Sequence, residues 1–441
     1  MQQIESIYEK YTESTGWCTD TRKIEPGSFF IALKGEKFNG NDFVDQAIEG
    51  GAKFCLVDEP DLKNRTSCLY VPNTLTCLHR LAYWHRKHFD IPVIGITGSN
   101  GKTTTKELVA KVLAQAFRVH ATKGNLNNHI GVPLTILAMP KDTEIAIIEM
   151  GANHQGEIRM LSHIADPWLG CITNIGKAHL EGFGDVEVIR KTKFELLDHL
   201  LQRGGVFFHN RDEPSLQNLP RYPGVENIEF GNSVKFGGKW KIKSVQSIPT
   251  IQMVFQHEST LLPLSSQLYG SFNVQNIKAA LAIGAHFGVH LEKIIEGIAG
   301  YVPSNNRSEI LERSGNTYYL DAYNANPTSM KEGIDFFSDL KKSGKILILG
   351  DMLELGSEAS QEHAAILKKV NQHRKDFELV ILIGNEFDKA LKDQGLQEID
   401  HFSNAKIAGQ WLNRQKFKGK HIFVKGSRGI QLEDLLTASN E

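Results

Sequence analysis

The sequence predicts an α/β protein with three domains, and three observations support that prediction. Short apolar runs alternate with helix-length segments along most of the 441 residues, which is typical of mostly parallel sheets covered by helices. The alternation falls into three blocks, and the length suits three domains of roughly 150 residues each. One stretch, at residues 225–268, breaks the alternation. We therefore predict an N-terminal domain at residues 1–89, a central domain at 90–301 and a C-terminal domain at 302–441.

The N-terminal block has the pattern of a small α/β domain. Its apolar runs at residues 29–33 and 54–57 have the length of buried strands, and a helical pattern closes the block at residues 75–88. Strands and helices that alternate in this way form one sheet with helices packed against it.

The central block has the pattern of a larger, mostly parallel sheet with helices on both faces. Its predicted strands lie at residues 91–97, 145–148, 169–173 and 206–208, each separated by a helix-length segment. Residues 225–268 instead carry short alternating runs rich in Gly, Ser, Lys and Val, such as residues 240–245. This stretch indicates an antiparallel β insertion or edge, after which helices resume at Phe272.

The C-terminal block begins at about Tyr301 and repeats the α/β alternation. Apolar strands are predicted at residues 346–349, 380–383 and 421–424, with helices such as residues 360–369 between them. This order predicts a second, Rossmann-like doubly wound sheet.

The composition excludes several classes of protein. Lys plus Arg total 50 and Asp plus Glu total 51, so the net charge of -1 gives no reason to expect a nucleic-acid or anionic-membrane surface. With 41% hydrophobic and 23% charged residues, the chain is neither disordered nor built to span a membrane. Any phosphate chemistry must therefore depend on a local site.

Cysteine usage and the first residues predict a cytoplasmic protein. The five cysteines are odd in number and scattered, with no C-x-x-C pair, so we expect reduced, buried thiols. The first ten residues show no basic leader before an apolar core, and no apolar run has the length of a membrane helix.

A glycine-rich loop at residues 97–104 carries the strongest chemical signal. It follows an apolar strand and opens a helical pattern, which is the context a phosphate-binding loop requires. Backbone N–H groups there would face phosphate oxygens, a lysine would reach the β- and γ-phosphates and a threonine hydroxyl would bind Mg²⁺. The strict pattern has glycine where this chain has Ile96, so the loop is a shortened variant; the alternative is an ordinary strand-to-helix turn. The predicted nucleotide ligands are Gly98, Ser99, Asn100, Gly101, Lys102, Thr103 and Thr104.

From this loop onward the chain resembles the Mur ligases, ATP-dependent amide-forming enzymes of peptidoglycan synthesis. Residues 97–103 match the family's Thr-Gly-[Ser/Thr]-x-Gly-Lys-[Thr/Ser] loop, and further motifs follow in the family's order over nearly the whole chain. The resemblance implies a central domain of the P-loop ATPase type.

The resemblance also implies a metal site. Glu149 ends a predicted strand in the motif Glu-Met-Gly-Ala-Asn, which the family uses to bind Mg²⁺, and His179 matches a histidine that helps hold a second Mg²⁺. Lys193 matches a lysine that CO₂ carbamylates near the metal, and an error in register would move that role to Lys191. Without the resemblance, a strand-end glutamate, a loop histidine or a helix lysine is more often a surface or capping residue than a metal ligand. The implied metal ligands are Thr103, Glu149, His179 and Lys193, and the implied catalytic residues are Lys102, Glu149, His179 and Lys193.

Three further positions match residues that bind the nucleotide in the family. Asn276 lies in the segment Gly-x-x-Asn-x-x-Asn-x-x-Ala-Ala, where it would read the adenine edge. Arg307 and Asp321 stand at the start of the C-terminal block, where they would contact the phosphates and seat the nucleotide. Because they belong to another domain, they would complete the site when the domains close.

Residues 321–330 resemble the motif Asp-x-Tyr-Asn-Ala-Asn-Pro-x-Ser-Met, which marks the branch of the family that adds D-Ala-D-Ala to UDP-MurNAc-tripeptide. The same residues also suit a helix start with an N-cap asparagine and an N1 proline. Residues 20–22, 26–35 and 39–43 resemble the region that holds uridine diphosphate, and residues 124–133 resemble a loop that contacts the muramyl substrate. The implied substrate residues are Thr21, Arg22, Asn125, Asn127, Asn128, Tyr323, Asn324 and Asn326.

The resemblance therefore implies an amide ligase that forms an acyl phosphate from ATP and yields UDP-MurNAc-pentapeptide, ADP and phosphate. Its expected cofactors are ATP, two Mg²⁺ ions and a carbamylated Lys193, and we expect a monomer with small-molecule partners, no nucleic acid and no membrane span. The third residue of the tripeptide is left open as diaminopimelate or lysine. Two alternatives remain: a sister ligase of the folylpolyglutamate type, and a nucleotide-switched binding protein.

Overall fold

The computed structural model describes residues 2–220, 222–232, 236, 240–394 and 399–437. Its main sheets follow the three predicted blocks, so the α/β class with three domains is confirmed. The domain boundaries at residues 89/90 and 301/302 stay predictions.

The N-terminal domain contains a parallel sheet of order β1-β2-β5-β6 and a small antiparallel hairpin of β3 and β4. Its elements are α1 (Gln2–Thr12), β1 (Trp17–Cys18), β2 (Phe29–Ile31), β3 (Lys34–Gly35), β4 (Phe38–Asn39), α2 (Val44–Glu49), β5 (Phe54–Val57), β6 (Cys68–Tyr70) and α3 (Thr74–Arg86). Alternate residues of β2 enter different cores: Phe29 packs in the core with α1 and α3, and Phe30 in the core with α2.

The central domain is built on a six-stranded parallel sheet of order β12-β11-β10-β7-β9-β8. Its elements are β7 (Val93–Thr97), α4 (Lys102–Leu113), β8 (Val119–Ala121), α5 (Gly131–Leu137), β9 (Ile145–Glu149), α6 (Glu157–Ala165), β10 (Leu169–Ile172), α7 (Leu180–Phe183), α8 (Val186–Arg203), β11 (Val206–Asn210), β12 (Glu226–Phe230), β13 (Trp240–Gln246), β14 (Gln252–His257), β15 (Thr260–Ser265), α9 (Ser271–His286) and α10 (Leu291–Ala299). Chain order reverses at β7, so the loop after β7 opens at the point where ligands bind in such sheets.

The predicted antiparallel insertion at residues 225–268 is partly wrong. Strands β13, β14 and β15 do form a separate antiparallel sheet. Strand β12, however, runs parallel to β11 and extends the central sheet. The edge of β11 offers unpaired backbone groups to β12, and Phe230 at the end of β12 is buried in the core below.

The C-terminal domain carries a six-stranded sheet of order β16-β17-β21-β18-β19-β20, parallel except for the β16–β17 pair. Its elements are β16 (Glu309–Arg313), β17 (Asn316–Asp321), α11 (Pro327–Asp339), β18 (Lys345–Gly350), α12 (Ala359–Gln372), β19 (Leu379–Ile383), α13 (Asn385–Gln394), β20 (Asp400–Phe402), α14 (Ala405–Gln415), β21 (His421–Lys425) and α15 (Asp434–Thr437). Leu347 and Ile348 on β18 face opposite cores, as expected for a sheet covered on both sides.

All five cysteines are free and buried, as expected. Within the described ranges, no helix combines the length and the apolar character needed to cross a membrane.

Candidate active site

A polar cavity of about 610 Å³ lies between the central and C-terminal domains. The carboxyl ends of three neighbouring parallel strands open into it: the phosphate loop follows β7, Glu149 ends β9 and Asn174 follows β10. We call the residues that the central domain contributes the central wall, and those from residue 307 onward the C-terminal wall. Both walls bring polar side chains to one volume.

Most of the predicted site residues line this cavity. They are Ser99, Asn100, Gly101, Lys102, Thr103, Thr104, Asn125, Asn127, Asn128, Glu149, His179, Asn276, Arg307, Asp321, Tyr323, Asn324 and Asn326. Gly98, Lys193, Thr21 and Arg22 are outside its lining.

The phosphate loop has the shape of an anion cradle. Gly98 and Gly101 have φ values of 146° and 76°, and a Cβ at Gly98 would collide with the Thr173 side chain, so both positions favour glycine. Helix α4 begins at Lys102 and points its free N–H groups toward the cavity. The Lys102 ammonium donates to the carbonyls of Gly98 and Ser99 at 2.7 and 3.0 Å. Burial lowers the pKa of Lys102 to about 8, against the opposing attraction of Glu149.

Glu149 is held by neighbours that leave one of its oxygens free. Its Oε1 accepts from the Thr103 hydroxyl at 3.1 Å and from the Asn127 amide at 2.7 Å. Its Oε2 is buried without a hydrogen bond, and the Lys106 ammonium is 3.9 Å away. A carboxylate oxygen without a hydrogen bond, beside a threonine hydroxyl, suits a hard cation such as Mg²⁺.

The protein supplies only part of a metal site. Among the described residues, no group of three or more His, Cys, Asp or Glu side chains is placed to hold a metal ion. Mg²⁺ commonly takes one or two carboxylates together with water and substrate phosphates, so the pair of Thr103 and Glu149 fits that ion when a nucleotide is bound.

Lys193 lies on α8 just behind the cavity, and its side chain is only 2% exposed. Its ammonium is 5.5 Å from the centre of the Phe183 ring. Burial, and then the positive charge of Lys102, lower the pKa of Lys193 to about 7. Lys191 is exposed. Of the two candidate lysines, Lys193 therefore has the environment that favours a neutral amine.

His179 meets the C-terminal domain. Its Nδ1 lies 2.5 Å from Oε2 of Glu354, and this contact holds the pKa of Glu354 below its ordinary value. Both residues have left-handed backbone conformations, with φ of 51° and 63°.

Asn276 belongs to a chain of hydrogen bonds that leads toward the C-terminal domain. Its Oδ1 accepts from Thr105 at 3.1 Å, and its Nδ2 donates to Asn273 at 2.9 Å. Asn273 in turn donates to the Ser308 hydroxyl at 2.8 Å and to the carbonyl of Tyr269 at 2.9 Å. The base of α9 is therefore rigidly linked to the segment that carries Arg307.

The C-terminal wall presents a cation and an amide. The Arg307 guanidinium lies 3.5 Å from the centre of the Tyr323 ring, a stacking arrangement that fixes its direction. Asp321 forms an ion pair with Lys425 at 2.5 Å. Asn326 caps α11 in a capping box with Ser329, and Pro327 occupies the first turn. The helix-start interpretation of this motif is thus confirmed.

A further hydrogen bond joins the phosphate loop directly to the C-terminal wall. The Asn326 amide donates to Oδ1 of Asn100 in the phosphate loop at 2.6 Å. The predicted substrate turn therefore touches the predicted nucleotide loop.

Thr21 and Arg22 lie apart from this cavity. They form a short 3₁₀ turn capped by Asp20, whose carboxylate also pairs with the exposed Arg22 guanidinium at 2.9 Å. Their predicted contact with the substrate stays a prediction.

Three family models match the chain in the order of its domains. Residues 14–85 match the Mur ligase family catalytic domain, residues 96–284 the Mur ligase middle domain, and residues 306–428 the Mur ligase glutamate ligase domain. The chain belongs to the Mur ligase family.

Relatives and solved structures of this family cover nearly the whole chain. The UDP-N-acetylmuramoyl-tripeptide–D-alanyl-D-alanine ligase of Bacillus subtilis is 38% identical over 427 residues, which is 96% of this chain and 92% of the relative. The crystal structure of MurF from Acinetobacter baumannii superposes with a TM-score of 0.86 at 28% identity and covers 99% of this chain and 97% of its own. MurF from Thermotoga maritima, solved in complex with ADP, gives 0.83 at 27% identity and covers 98% and 97%.

Three acidic residues that line this Mur ligase cavity were not among the predicted site residues: Glu157, Glu332 and Glu354. Glu332 lines the cavity from α11, and burial raises its pKa to about 7. Ser329, Glu332 and Phe336 are three and four residues apart and therefore lie on one face of α11, a pattern from which the position of Glu332 could have been predicted. Glu354 lies in a loop, where no periodicity could have indicated its partner. Asn127, whose contact with substrate stays a prediction, also donates its side-chain amide to Glu149.

Proposed function

We propose that this Mur ligase joins D-Ala-D-Ala to UDP-MurNAc-tripeptide at the expense of ATP, in the synthesis of the peptidoglycan precursor. The observation that carries the proposal is the single cavity in which the phosphate loop faces the turn at residues 321–330. The Bacillus subtilis relative, matched over 92% of its length, bears the name of that reaction. We further propose that the protein acts in the cytoplasm as a monomer.

The first step forms an acyl phosphate. The terminal carboxylate of the tripeptide attacks the γ-phosphorus of ATP, a C–O–P linkage forms, and the bond to the β-phosphate breaks to release ADP. Backbone N–H groups of the loop and the Lys102 ammonium bind the transferring phosphoryl oxygens, and Arg307 reaches them from the C-terminal wall. In the observed state Lys102 bonds to its own loop, so the nucleotide must draw its ammonium outward.

Mg²⁺ would neutralise charge on these oxygens when it is bound. We propose that Thr103 and Glu149 hold it, that His179 contributes to a second ion, and that a carbamate on Lys193 supplies a further anionic oxygen. The free oxygen of Glu149 and the lowered pKa of Lys193 support these roles, because carbamylation requires a neutral amine.

The second step forms the amide. The free amine of D-Ala-D-Ala attacks the activated carbonyl, a C–N bond forms, phosphate leaves and the amine loses a proton. Closure of the two walls around the substrates would keep out water that would hydrolyse the acyl phosphate. We assign Asn276 and Asp321 to the nucleotide, and Asn125, Asn128, Tyr323 and Asn324 to the two substrates.

Phosphate release from ATP and Mg²⁺ tests the proposal. Purified protein is incubated with UDP-MurNAc-tripeptide, with and without D-Ala-D-Ala, and the product mass is read in parallel. We expect release that requires the dipeptide and a pentapeptide product. The assay is run with tripeptides carrying diaminopimelate and lysine, which identifies the third residue.

Two results would redirect the assignment. Release that responds to a folate and glutamate but not to the dipeptide would indicate the sister ligase. Release that ignores every acceptor would leave only a nucleotide-switched protein.

A further inference from the structure

The C-terminal domain contacts the segment around His179 at three points. Lys177 forms an ion pair with the buried Glu362 at 2.5 Å. The backbone N–H of Glu181 donates to the carbonyl of Glu354 at 3.0 Å. Between them, His179 Nδ1 lies 2.5 Å from Glu354 Oε2 as a close ion-pair contact, and among the described residues this buried nitrogen has no hydrogen-bond partner. Because Lys177 and Glu362 are 185 positions apart in the chain, only the tertiary structure creates these contacts.

The backbone on both sides of this contact is unusual. His179 and Glu354 are left-handed, with φ of 51° and 63°, and neither is a glycine. Gly356, with φ of 53°, lies against the backbone of Glu181, where a side chain would crowd it. Such conformations persist only where the surrounding structure holds them, and they concentrate at functional sites. Here the two left-handed residues face each other across the domain interface.

The chemistry of imidazole gives this contact a consequence. Neutral histidine carries one proton, on either ring nitrogen, and a carboxylate beside Nδ1 favours the tautomer with the proton there. The lone pair then resides on Nε2. A histidine that binds a metal usually donates its other N–H to a carboxylate or carbonyl, which fixes the ring and raises its basicity.

We propose that Glu354 is a positioning residue: delivered by the C-terminal domain, it fixes the ring and the tautomer of His179, so that the central wall is complete only in the closed state. This inference rests on the proposed function, in which His179 serves the metal site. Glu354 itself touches neither the nucleotide loop nor Glu149 in the described structure; it acts through His179.

A purely structural role would predict something different. If Glu354 only fastened the loop, its removal would lower the melting temperature and leave kcat and the Mg²⁺ requirement unchanged. The backbone bond from Glu181 and the Lys177–Glu362 pair would also persist, since neither uses the Glu354 side chain.

Kinetic measurements on Glu354→Ala and Glu354→Gln form the first arm. We expect kcat for pentapeptide formation to fall 10- to 100-fold, with the Mg²⁺ concentration for half-maximal rate raised, as is typical when the partner of a ligand histidine is removed. Glu354→Asp should recover part of the rate. The matched control is Glu358→Ala, in the same turn but outside the cavity lining, which should keep the wild-type rate.

Nuclear magnetic resonance of the imidazole forms the second arm and needs no substrate or metal. Protein with ¹⁵N-labelled histidine is compared with a His179→Asn variant to identify the His179 ring signals. We expect Nδ1 to carry the proton in the wild type and the proton to redistribute toward Nε2 in Glu354→Gln. That variant is nearly isosteric, so it remains informative if Glu354→Ala fails to fold.

The outcomes separate this inference from the proposed function. If the wild type makes the pentapeptide and the Glu354 variants have the same rate and the same His179 ring signals, the inference is overturned and the proposed function stands. If the wild type makes no pentapeptide, the proposed function is overturned. The ring signals of the wild type and of Glu354→Gln would still show whether Glu354 fixes the tautomer of His179.

Discussion

Glu149 of the central wall is held within its own domain, whereas Asn326 of the C-terminal wall also depends on a contact across the interface. Glu149 is bonded to Thr103 and Asn127, both from the central domain. Asn326, by contrast, completes its hydrogen bonds by reaching Asn100 in the other domain. The Glu149 part of the first wall is formed as soon as the central sheet folds, whereas His179 gains its carboxylate partner from the other domain. The Asn326 contact of the second wall is formed only when the two domains meet.

From this difference we infer that the two walls have different roles in the reaction. A site that must bind nucleotide in every state benefits from groups that are already oriented, because no ordering is needed at the moment of reaction. A site that must admit two further substrates and then exclude water needs a wall that can withdraw. Substitutions in the central wall should therefore abolish chemistry, and those in the C-terminal wall should weaken it through closure.

The largest effect is expected from Lys102→Ala. Removing the ammonium deprives the transferring phosphoryl group of a fixed charge, and we expect amide synthesis to fall at least about 10³-fold. Phosphate release and product mass measure it. Lys111→Ala, exposed near the end of the same helix, is the control and should leave the rate unchanged. Normal synthesis by Lys102→Ala would refute the role of the loop.

Arg307→Ala tests the C-terminal wall and should cost less, about 10²-fold in kcat/KM for ATP. If this wall acts through closure, equilibrium binding of ADP should change much less than kcat. Calorimetry and steady-state rates give the two numbers. Arg313→Ala, exposed at the end of β16, serves as the control. Equal losses in binding and in kcat would contradict the assignment of closure to this wall.

The Asn100–Asn326 bond tests the link between the walls. Asn326→Asp keeps the oxygen that caps α11 but replaces the amide donor, so we expect kcat to fall about fivefold, which corresponds to about 1 kcal/mol. In the Asn100→Ala background the same substitution should have no further effect. Losses that multiply in the double variant would show that the two residues act independently.

The last effect concerns the stability of the fold and not the rate. Burial raises the pKa of Glu332 to about 7, so the folded state holds a proton that the unfolded chain has lost, and stability falls as pH rises from about 4.5 through 7. Glu332→Gln removes this cost and should gain about 1–2 kcal/mol at pH 8, allowing for partial exposure. We expect a melting temperature about 3 °C above the wild type at pH 8 and a smaller gain at pH 5. The control is Asp339→Asn, an exposed position on the same helix, which should not raise the melting temperature at either pH. A gain independent of pH would contradict the titration of Glu332.

Local patterns account for most of what could be predicted. Residues 97–104 form one continuous motif whose strand, turn and helix are neighbours in the chain, so their geometry follows from their order. Glu149 was predictable because a residue that ends a buried parallel strand must emerge at the carboxyl edge of the sheet. Strand β12 was predicted wrongly because it pairs with the free edge of β11. The hydrophobic periodicity of a segment does not show which strand it pairs with.

The sequence by itself therefore determined the α/β class, the phosphate loop and the strand-end carboxylate, since each depends on residues close together in the chain. Only the tertiary structure decided which groups meet across the interface. Asn100 and Asn326 are 226 positions apart, and Glu354 finds His179 through a loop with no regular period. Such contacts depend on how two independently folded sheets dock, because domain docking is governed by shape and charge over whole surfaces and not by any short run of residues.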